Sequence, residues 1–490
     1  MERRRRTHHR RHKNVPHEFL GPGSGDSDKR EAVAFNHHHR GAENRAIIAD
    51  NTNYPSIGLL SPLERTSMLN MKLKQCTGTS FIRPGDEINS RTASQLEVKR
   101  RSLLDVLDHV AKTTAPFASP ETVSALMGMI AANIIHPTNE IWDAPGHVHW
   151  PVLQLVHETF LRFIMDPSVE PRTLKHAIRP SLIARLVDQL RTDDAEEREY
   201  LKTELHRIYT RAPGHRPLVR RLMTAALEQY AATPHRHGGV AELLEVYGTI
   251  IKGLSAPLKA EYGEALHTAF MPLHRVENTA PFHDGLSRCV VRLVEKDAGL
   301  AVVVVRDLIR YWPLSNPGKA VKNLSELESI LALTPLAMYD SVMPLALHLF
   351  GLCVSSHHEV IAEAALRILL TQTMRAVIKD QFEIALDTLV FPLLYNTQKH
   401  ASTHVQVVSA RVLMHSVVWA SPLTANTAVQ SCRDQIDAGT TPAETVELWD
   451  ILLDMVAHGP EEGGKVGGGV EFGGNGVGDG KVSVASGSRG

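Results

Sequence analysis

Residues 218–230 (LVRRLMTAALEQY) and 241–254 (AELLEVYGTIIKGL) decide the fold of this chain. Their apolar residues recur at spacings of one, three and four, which places them on one face of an α-helix. These residues are Leu218, Val219, Leu222, Met223, Ala226, Leu227 and Tyr230, then Ala241, Leu243, Leu244, Val246, Tyr247, Ile250, Ile251 and Leu254. Consecutive helices of this kind bury their apolar faces against their neighbours, so the pattern predicts stacked helix pairs.

The same helical spacing extends outward in both directions, from residue 91 to residue 456. Pairs of about 40 residues would give roughly eight repeats, so we predict an all-α, HEAT-like helical-repeat solenoid of armadillo type. The β-branched run at 300–305 (LAVVVV) continues into RDLIRYW with helical spacing, which predicts a buried helix. Asp193 and Glu196 fit a capping box at the start of another helix.

Proline recurs along the whole periodic region, and we expect several prolines at first helical turns or in the loops between helices, with Pro257 opening a helix. These prolines are Pro171, Pro180, Pro213, Pro234, Pro257, Pro272, Pro313, Pro335, Pro344 and Pro392.

Two terminal segments have no sustained period. Residues 1–90 form an arm rich in Arg, His, Asn, Ser, Gly and Pro, and residues 457–490 form a Gly-rich tail. Because neither can bury enough apolar surface to offset the entropy of ordering, we expect both to be disordered and flexible. The glycine run in the tail has no GK[ST] ending, so it does not predict a phosphate-binding loop.

Composition narrows the class of protein. The formal net charge is −1, so no global charge favours binding to nucleic acid or an anionic membrane. Aromatic residues make up 5% of the chain, which suits packing of small aliphatic helices better than a sandwich or barrel. We expect no secretory signal and no membrane span, because Pro344 and His348 interrupt the longest apolar run. The four cysteines are far apart and predict free thiols in an intracellular protein.

Catalytic signatures are missing from the sequence. It contains no GxSxG, HExxH, GxGxxG or P-loop pattern in a supporting context, and no carboxylate pairs with a base or a nucleophile. We therefore expect no enzymatic activity, no catalytic residue, no metal and no cofactor.

One cluster of polar residues is better placed for binding. Residues four or three apart on a helix share a face, so adjacent repeats can combine into one groove with an apolar floor and a basic rim. The candidate groove residues are His206, Arg207, Tyr209, Arg216, Val246, Ile250, Lys259 and Tyr262. Such a groove suits an extended peptide with two aliphatic anchors and acidic groups. Periodicity alone leaves open the alternative of a solvated basic helix face.

Several segments resemble one known family over about 330 residues. They include residues 97–110 (EVKRRSLLDVLDHV), 150–163 (WPVLQLVHETFLRF), 271–277 (MPLHRVE) and 310–313 (RYWP). Together with GGVAELLEVYGTIIKG, LSELESIL and CVSSHHEVIAEAAL, they resemble the B-prime regulatory subunits of protein phosphatase 2A.

This resemblance implies a regulatory, substrate-selecting subunit that is not itself an enzyme. Its partners would be the scaffold (A) subunit and the catalytic (C) subunit of the phosphatase. Substrates would carry Leu-x-x-Ile-x-Glu-like motifs, acidic or phosphorylated, which bind in the groove formed by the candidate residues. Two of these residues depart from the family: Val246 stands where isoleucine is usual, and Tyr262 where a histidine contacts the motif glutamate. The segment before Trp150 lacks the family's long acidic loop.

Two other functions remain open from the sequence. A helical-repeat scaffold or nuclear-transport carrier would share the solenoid pattern. The arginine-rich start of the chain, MERRRRTHHRRHK, could contact nucleic acid, although a nuclear-localisation signal or a solvated tail fits it as well. We expect the protein in the cytoplasm, with the nucleus as a second location.

Overall fold

A computed structural model describes residues 53–78, 90–135, 150–233 and 239–413 of the chain. Every regular element in these ranges is helical, and they contain no strand. The predicted all-α, helical-repeat fold class is therefore confirmed. Residues 1–52 and 79–89 of the N-terminal arm, the segment before Trp150 and the C-terminal tail lie outside the described ranges, so the expectations for them remain predictions.

The chain divides into two compact units, Met1–Leu293 and Val294–Gly490. The first unit contains α1 (Pro62–Gln75), α2 (Ser90–Lys112), α3 (Pro120–Ile134), α4 (Trp150–Met165), α5 (Pro171–Ala177), α6 (Pro180–Gln189), α7 (Ala195–Arg211), α8 (Arg216–Ala232), α9 (Val240–Lys252), α10 (Ala260–Ala265) and α11 (Met271–Leu273). Helix α12 (His283–Lys296) contains the boundary. The second unit continues with α13 (Ala301–Arg310), α14 (Pro317–Leu333), α15 (Tyr339–Val354), α16 (Glu359–Leu369), α17 (Gln372–Asp380), α18 (Phe382–Lys399) and α19 (Thr403–Val412).

Helices in the first unit pack mainly against the next helix but one, as expected for stacked helix pairs. Helix α1 packs against α3, α2 against α4, α6 against α8, and α7 against α9. The second unit repeats this arrangement, with α13 against α15 and α14 against α16. The apolar faces read from the sequence form these contacts: Val219, Met223 and Leu227 of α8 are all buried.

Helix α1 corrects the expected boundary of the folded region. It lies before residue 91, inside the segment expected to be disordered, and it packs against α2 and α3. Ser61 and Glu64 form a capping box at its start, and Leu69 and Leu73 are buried. The sequence pattern did not reveal this helix because its polar residues outnumber its apolar ones and it lies beside a long polar arm.

The prolines of the periodic region lie both at helix starts and inside helices. Pro171 and Pro180 begin α5 and α6, as expected. Pro344 and Pro392, in contrast, lie inside α15 and α18. These two prolines are therefore not among those at first turns or in loops, and each lies inside a continuous helix.

Two further predictions concern single helices. The N-cap of α7 is Asp194, whose carboxylate accepts hydrogen bonds from the backbone N–H groups of Glu196 and Glu197. The expected capping residue, Asp193, is one position too early. The β-branched run at 300–305 does lie in a helix from Ala301 onward, α13, with Val304 and Val305 buried.

Leu336–Val354, which includes α15, is by length and composition able to span a bilayer. The sequence criterion missed it because Pro344 and His348 interrupt its apolar run. Half of this stretch is buried within the protein, where α15 packs against α13, α16 and α18. This burial is what a core helix shows.

Cysteine burial agrees with the prediction of free thiols. Cys76, Cys289 and Cys353 are buried and unbridged. Burial raises the pKa of the Cys76 thiol to about 11. Cys432 lies outside the described residues.

Candidate functional site

A cavity of about 320 Å³ lies in the first unit, between the turn that joins α7 to α8 and the loop that joins α9 to α10. Its lining residues are Tyr209, Pro213, Arg216, Pro217, Arg220, Leu254, Ser255, Pro257, Leu258, Lys259 and Tyr262. We call this cavity the groove. It is built by segments from two neighbouring helix pairs.

Four of the eight candidate residues line the groove: Tyr209, Arg216, Lys259 and Tyr262. Pro257, which was expected to open the next helix, lies in the loop before α10 and also lines the groove. The turn and the loop therefore bring together residues that are about fifty positions apart in the chain.

The other four candidates do not line the groove. His206 and Arg207 lie on α7, where His206 is half-buried and Arg207 is exposed. Val246 and Ile250 on α9 are only 3% and 5% exposed, because α9 packs against α7 and α8. They belong to the core, so the apolar surface available at the groove comes from Leu254, Leu258 and the prolines.

Arg216 is held at the rim by the last turn of α7. Its Nε donates a hydrogen bond to the backbone oxygen of Tyr209 at 3.0 Å. Its guanidinium lies over the Tyr209 ring, 5.4 Å from the centroid. Both contacts, with a hydrogen bond from Nη2 to the backbone oxygen of Thr210 at 3.4 Å, fix the position of the guanidinium, and its remaining N–H groups can donate to a ligand.

Arg220 is a groove residue that sequence reasoning missed. Its side chain is 10% exposed and makes a bidentate ion pair with Glu261 of α10. Its Nη1 donates to the Tyr209 hydroxyl at 3.0 Å, and its guanidinium lies 5.7 Å from the Tyr262 ring centroid. A signal was present, since Arg220 follows Arg216 by four residues and shares its helix face.

Tyr247 of α9 contacts the α8 backbone at Arg220. The Tyr247 hydroxyl forms a hydrogen bond with Thr224 Oγ1 at 2.5 Å and donates to the backbone oxygen of Arg220 at 3.4 Å. Its ring packs edge-to-face on Phe270, with centroids 5.1 Å apart. This buried support places the α8 side of the groove relative to α9.

Tyr262 and Lys259 complete the groove from the α10 side. Burial, followed by the neighbouring Tyr209, raises the pKa of the Tyr262 phenol well above its usual range, so it stays neutral. Lys259 is the N-cap residue of α10 and is exposed. Burial and the charge of Arg207 lower the pKa of His206, which favours its neutral form at pH 7. The positive charge at the groove therefore comes from Arg216, Arg220 and Lys259.

Comparison with known proteins agrees with this architecture. The family model described as "Protein phosphatase 2A regulatory B subunit (B56 family)" matches residues 54–446. A similar protein is the 55 kDa B' delta regulatory isoform of serine/threonine protein phosphatase 2A from Arabidopsis thaliana. It is 33% identical over 379 residues, which cover 74% of this chain and 78% of that protein.

Two further relatives extend the match. The 57 kDa B' kappa isoform from Oryza sativa subsp. japonica is 32% identical and covers 69% of this chain and 68% of its own length. The 57 kDa B' beta isoform from Arabidopsis thaliana is 29% identical and covers 92% of this chain and 93% of its own length. These matches favour a phosphatase regulator over a general carrier and agree with a non-catalytic role. The chain belongs to the B56 family of protein phosphatase 2A regulatory B subunits.

Proposed function

We propose that this chain selects substrates for protein phosphatase 2A by binding short acidic or phosphorylated motifs of the Leu-x-x-Ile-x-Glu kind in the groove. The observation that carries the proposal is the convergence of Arg216, Arg220 and Lys259 around one cavity. Charge-assisted hydrogen bonds from such groups recognise carboxylate and phosphate.

Apolar contacts would add to this recognition. The groove volume of about 320 Å³ is at the lower end of ligand pockets, so it fits one or two side chains at a time. Leu254 and Leu258 are half-buried and present their remaining surface to an aliphatic anchor. We expect micromolar affinity, about −8 kcal/mol, because a short peptide loses conformational freedom on binding.

The proposed partners are the scaffold (A) and catalytic (C) subunits. A substrate whose tail occupies the groove would have a high effective concentration near the catalytic subunit. This chain would contribute position and selectivity, and the catalytic subunit would carry out the hydrolysis.

Groove substitutions test the proposal. Arg216→Glu reverses a rim charge. We expect it to weaken the binding of a fluorescein-labelled Leu-x-x-Ile-x-Glu peptide at least thirtyfold, about 2 kcal/mol. Lys259→Ala removes one charge and should weaken binding about tenfold. Fluorescence anisotropy titration measures both. Arg221→Ala is the matched control, because Arg221 is exposed on α8 but does not line the groove. Unchanged affinity in both groove variants would contradict the assignment.

We also propose that the protein acts in the cytoplasm and that its N-terminal arm directs part of it to the nucleus. The support is the run of arginines and histidines within residues 2–13, which lie outside the described residues. Deleting residues 2–13 should lower the nuclear fraction of a fluorescently tagged chain, measured by microscopy. A nuclear fraction equal to that of the full chain would reject the localisation role.

A further inference from the structure

Arg220, the most buried cation of the groove, is paired with a carboxylate of the chain itself, that of Glu261. Arg220 Nη2 donates to Glu261 Oε1 at 2.8 Å and to Oε2 at 3.1 Å, and Arg220 Nε donates to Oε2 at 3.2 Å. The Glu261 side chain is 39% exposed, against 10% for Arg220. The carboxylate is therefore the more accessible member of the pair.

This geometry is the one that an incoming carboxylate would adopt. Arginine recognises carboxylates through two parallel N–H donors, and Glu261 uses that edge of Arg220. A third nitrogen, Nη1, donates to Tyr209, and one face of the guanidinium lies on the Tyr262 ring. Little of Arg220 remains for a ligand while Glu261 stays in place.

The other two groove cations differ from Arg220. Arg216 donates to the backbone oxygens of Tyr209 and Thr210, and Lys259 lies exposed at the start of α10. Within the described part of the chain, neither makes an ion pair with a carboxylate. The positive charge that a ligand meets first is thus at Arg216 and Lys259.

We propose that Glu261 is an internal ligand of Arg220 that competes with the acidic group of a bound peptide and sets the affinity of the groove. This inference rests on the proposed function and deepens it. While Glu261 holds Arg220, it also places a like charge beside the peptide acid, which opposes binding. A peptide carboxylate would bind at Arg216 and Lys259, and it would gain Arg220 only by displacing Glu261.

The first experiment removes the charge of Glu261 and keeps its shape. Glu261→Gln should bind a Leu-x-x-Ile-x-Glu peptide about tenfold more tightly than wild type, and a Leu-x-x-Ile-x-Gln peptide less than twofold more tightly. Glu264→Gln is the matched control, since Glu264 carries the same charge on the same helix and is exposed, and within the described residues it makes no ion pair with a groove arginine. It should change either affinity less than twofold.

The second experiment uses the partner residue, so that the proposal does not depend on one variant. Arg220→Gln leaves the Glu261 charge unopposed, so it should weaken the binding of the glutamate peptide at least tenfold. Adding Glu261→Gln should return the affinity to within threefold of wild type, because both charges are then removed. Thermal denaturation of each variant shows that the chain is folded at the titration temperature.

The outcomes separate the inference from the function on which it rests. If Glu261→Gln binds the glutamate peptide no more tightly than Glu264→Gln, while wild type binds it, the internal-ligand role is wrong and the peptide-binding function stands. If neither wild type nor any variant binds either peptide, the proposed function is wrong, and the internal-ligand role falls with it.

Discussion

His157 and Glu204 meet in the core, where α4 packs against α7. His157 Nδ1 and Glu204 Oε1 are 2.8 Å apart, and both side chains are fully buried. Burial lowers the pKa of His157, but the Glu204 carboxylate outweighs burial, and the net pKa is raised. Burial also raises the pKa of Glu204, against the opposing effect of His157. The pair therefore holds its proton more strongly in the folded chain than in the unfolded chain.

This pair predicts a pH-dependent stability. Because both folded pKa values lie above the ordinary values of 6.5 and 4.5, the stabilisation is greatest at low pH and is lost as pH rises through the folded pKa values. Glu204→Gln should lower the free energy of unfolding by about 2 kcal/mol near pH 6, and this difference should shrink towards pH 9. Urea unfolding at several pH values measures the difference from wild type.

The control for this pair is Glu196→Gln, which changes an exposed glutamate on the same helix. It should alter the free energy of unfolding by less than about 0.5 kcal/mol at every pH. A cost of Glu204→Gln that stays constant from pH 6 to pH 9 would show that the pair does not titrate as described.

At the scale of helices, one glycine sets how closely α15 approaches α18. A Cβ atom on Gly351 would lie 2.5 Å from the backbone oxygen of Thr388. Real Cβ atoms do not come this close to a carbonyl, so the helices would have to separate. Asn396 of α18 also donates to the backbone oxygen of Val354 at 2.7 Å, which fixes the same interface.

Gly351→Ala should therefore lower the thermal denaturation midpoint. We expect overpacking to reduce the free energy of unfolding by about 1–3 kcal/mol. Gly128→Ala is a matched control, because Gly128 lies inside α3 and nothing is within 4 Å of its Cβ position. At that position, the better helix propensity of alanine should stabilise the folded chain by about 0.5–1 kcal/mol. Equal shifts in both variants would mean that the close approach at Gly351 does not limit stability.

At the scale of the molecule, peptide selection and assembly with the phosphatase are separable in our proposal. The groove lies wholly within the first unit, and Arg216 is a half-exposed rim residue whose replacement removes no core packing. We expect tagged Arg216→Glu to co-purify the scaffold and catalytic subunits as wild type does, while it loses capture of the acidic peptide. Immunoblots of the purified complex, with the peptide titration beside them, measure both properties.

Loss of the phosphatase subunits together with peptide binding would contradict this separation. Arg221→Ala again serves as the control for a charge change on α8 that does not line the groove.

Part of the candidate site was within reach of the sequence. Arg216, Lys259, Tyr209 and Tyr262 lie near helix ends and loops, and the family resemblance singled them out where periodicity alone left a solvated helix face open. The apolar floor was not predictable in this way. Val246 and Ile250 fit a groove strip and a core face equally well by spacing, and packing against α7 and α8 decides for the core.

The order of residues by itself determined that this chain is a stack of helices, because a spacing of one, three and four buries a face only in a helix. It also pointed to Arg216 and Lys259 as cations of the groove, but it did not reveal Arg220. Only the tertiary structure decided that Arg220 is held by Glu261, forty-one positions later in the chain. An ion pair at that separation depends on how α8 and α10 pack, and no local pattern encodes that distance.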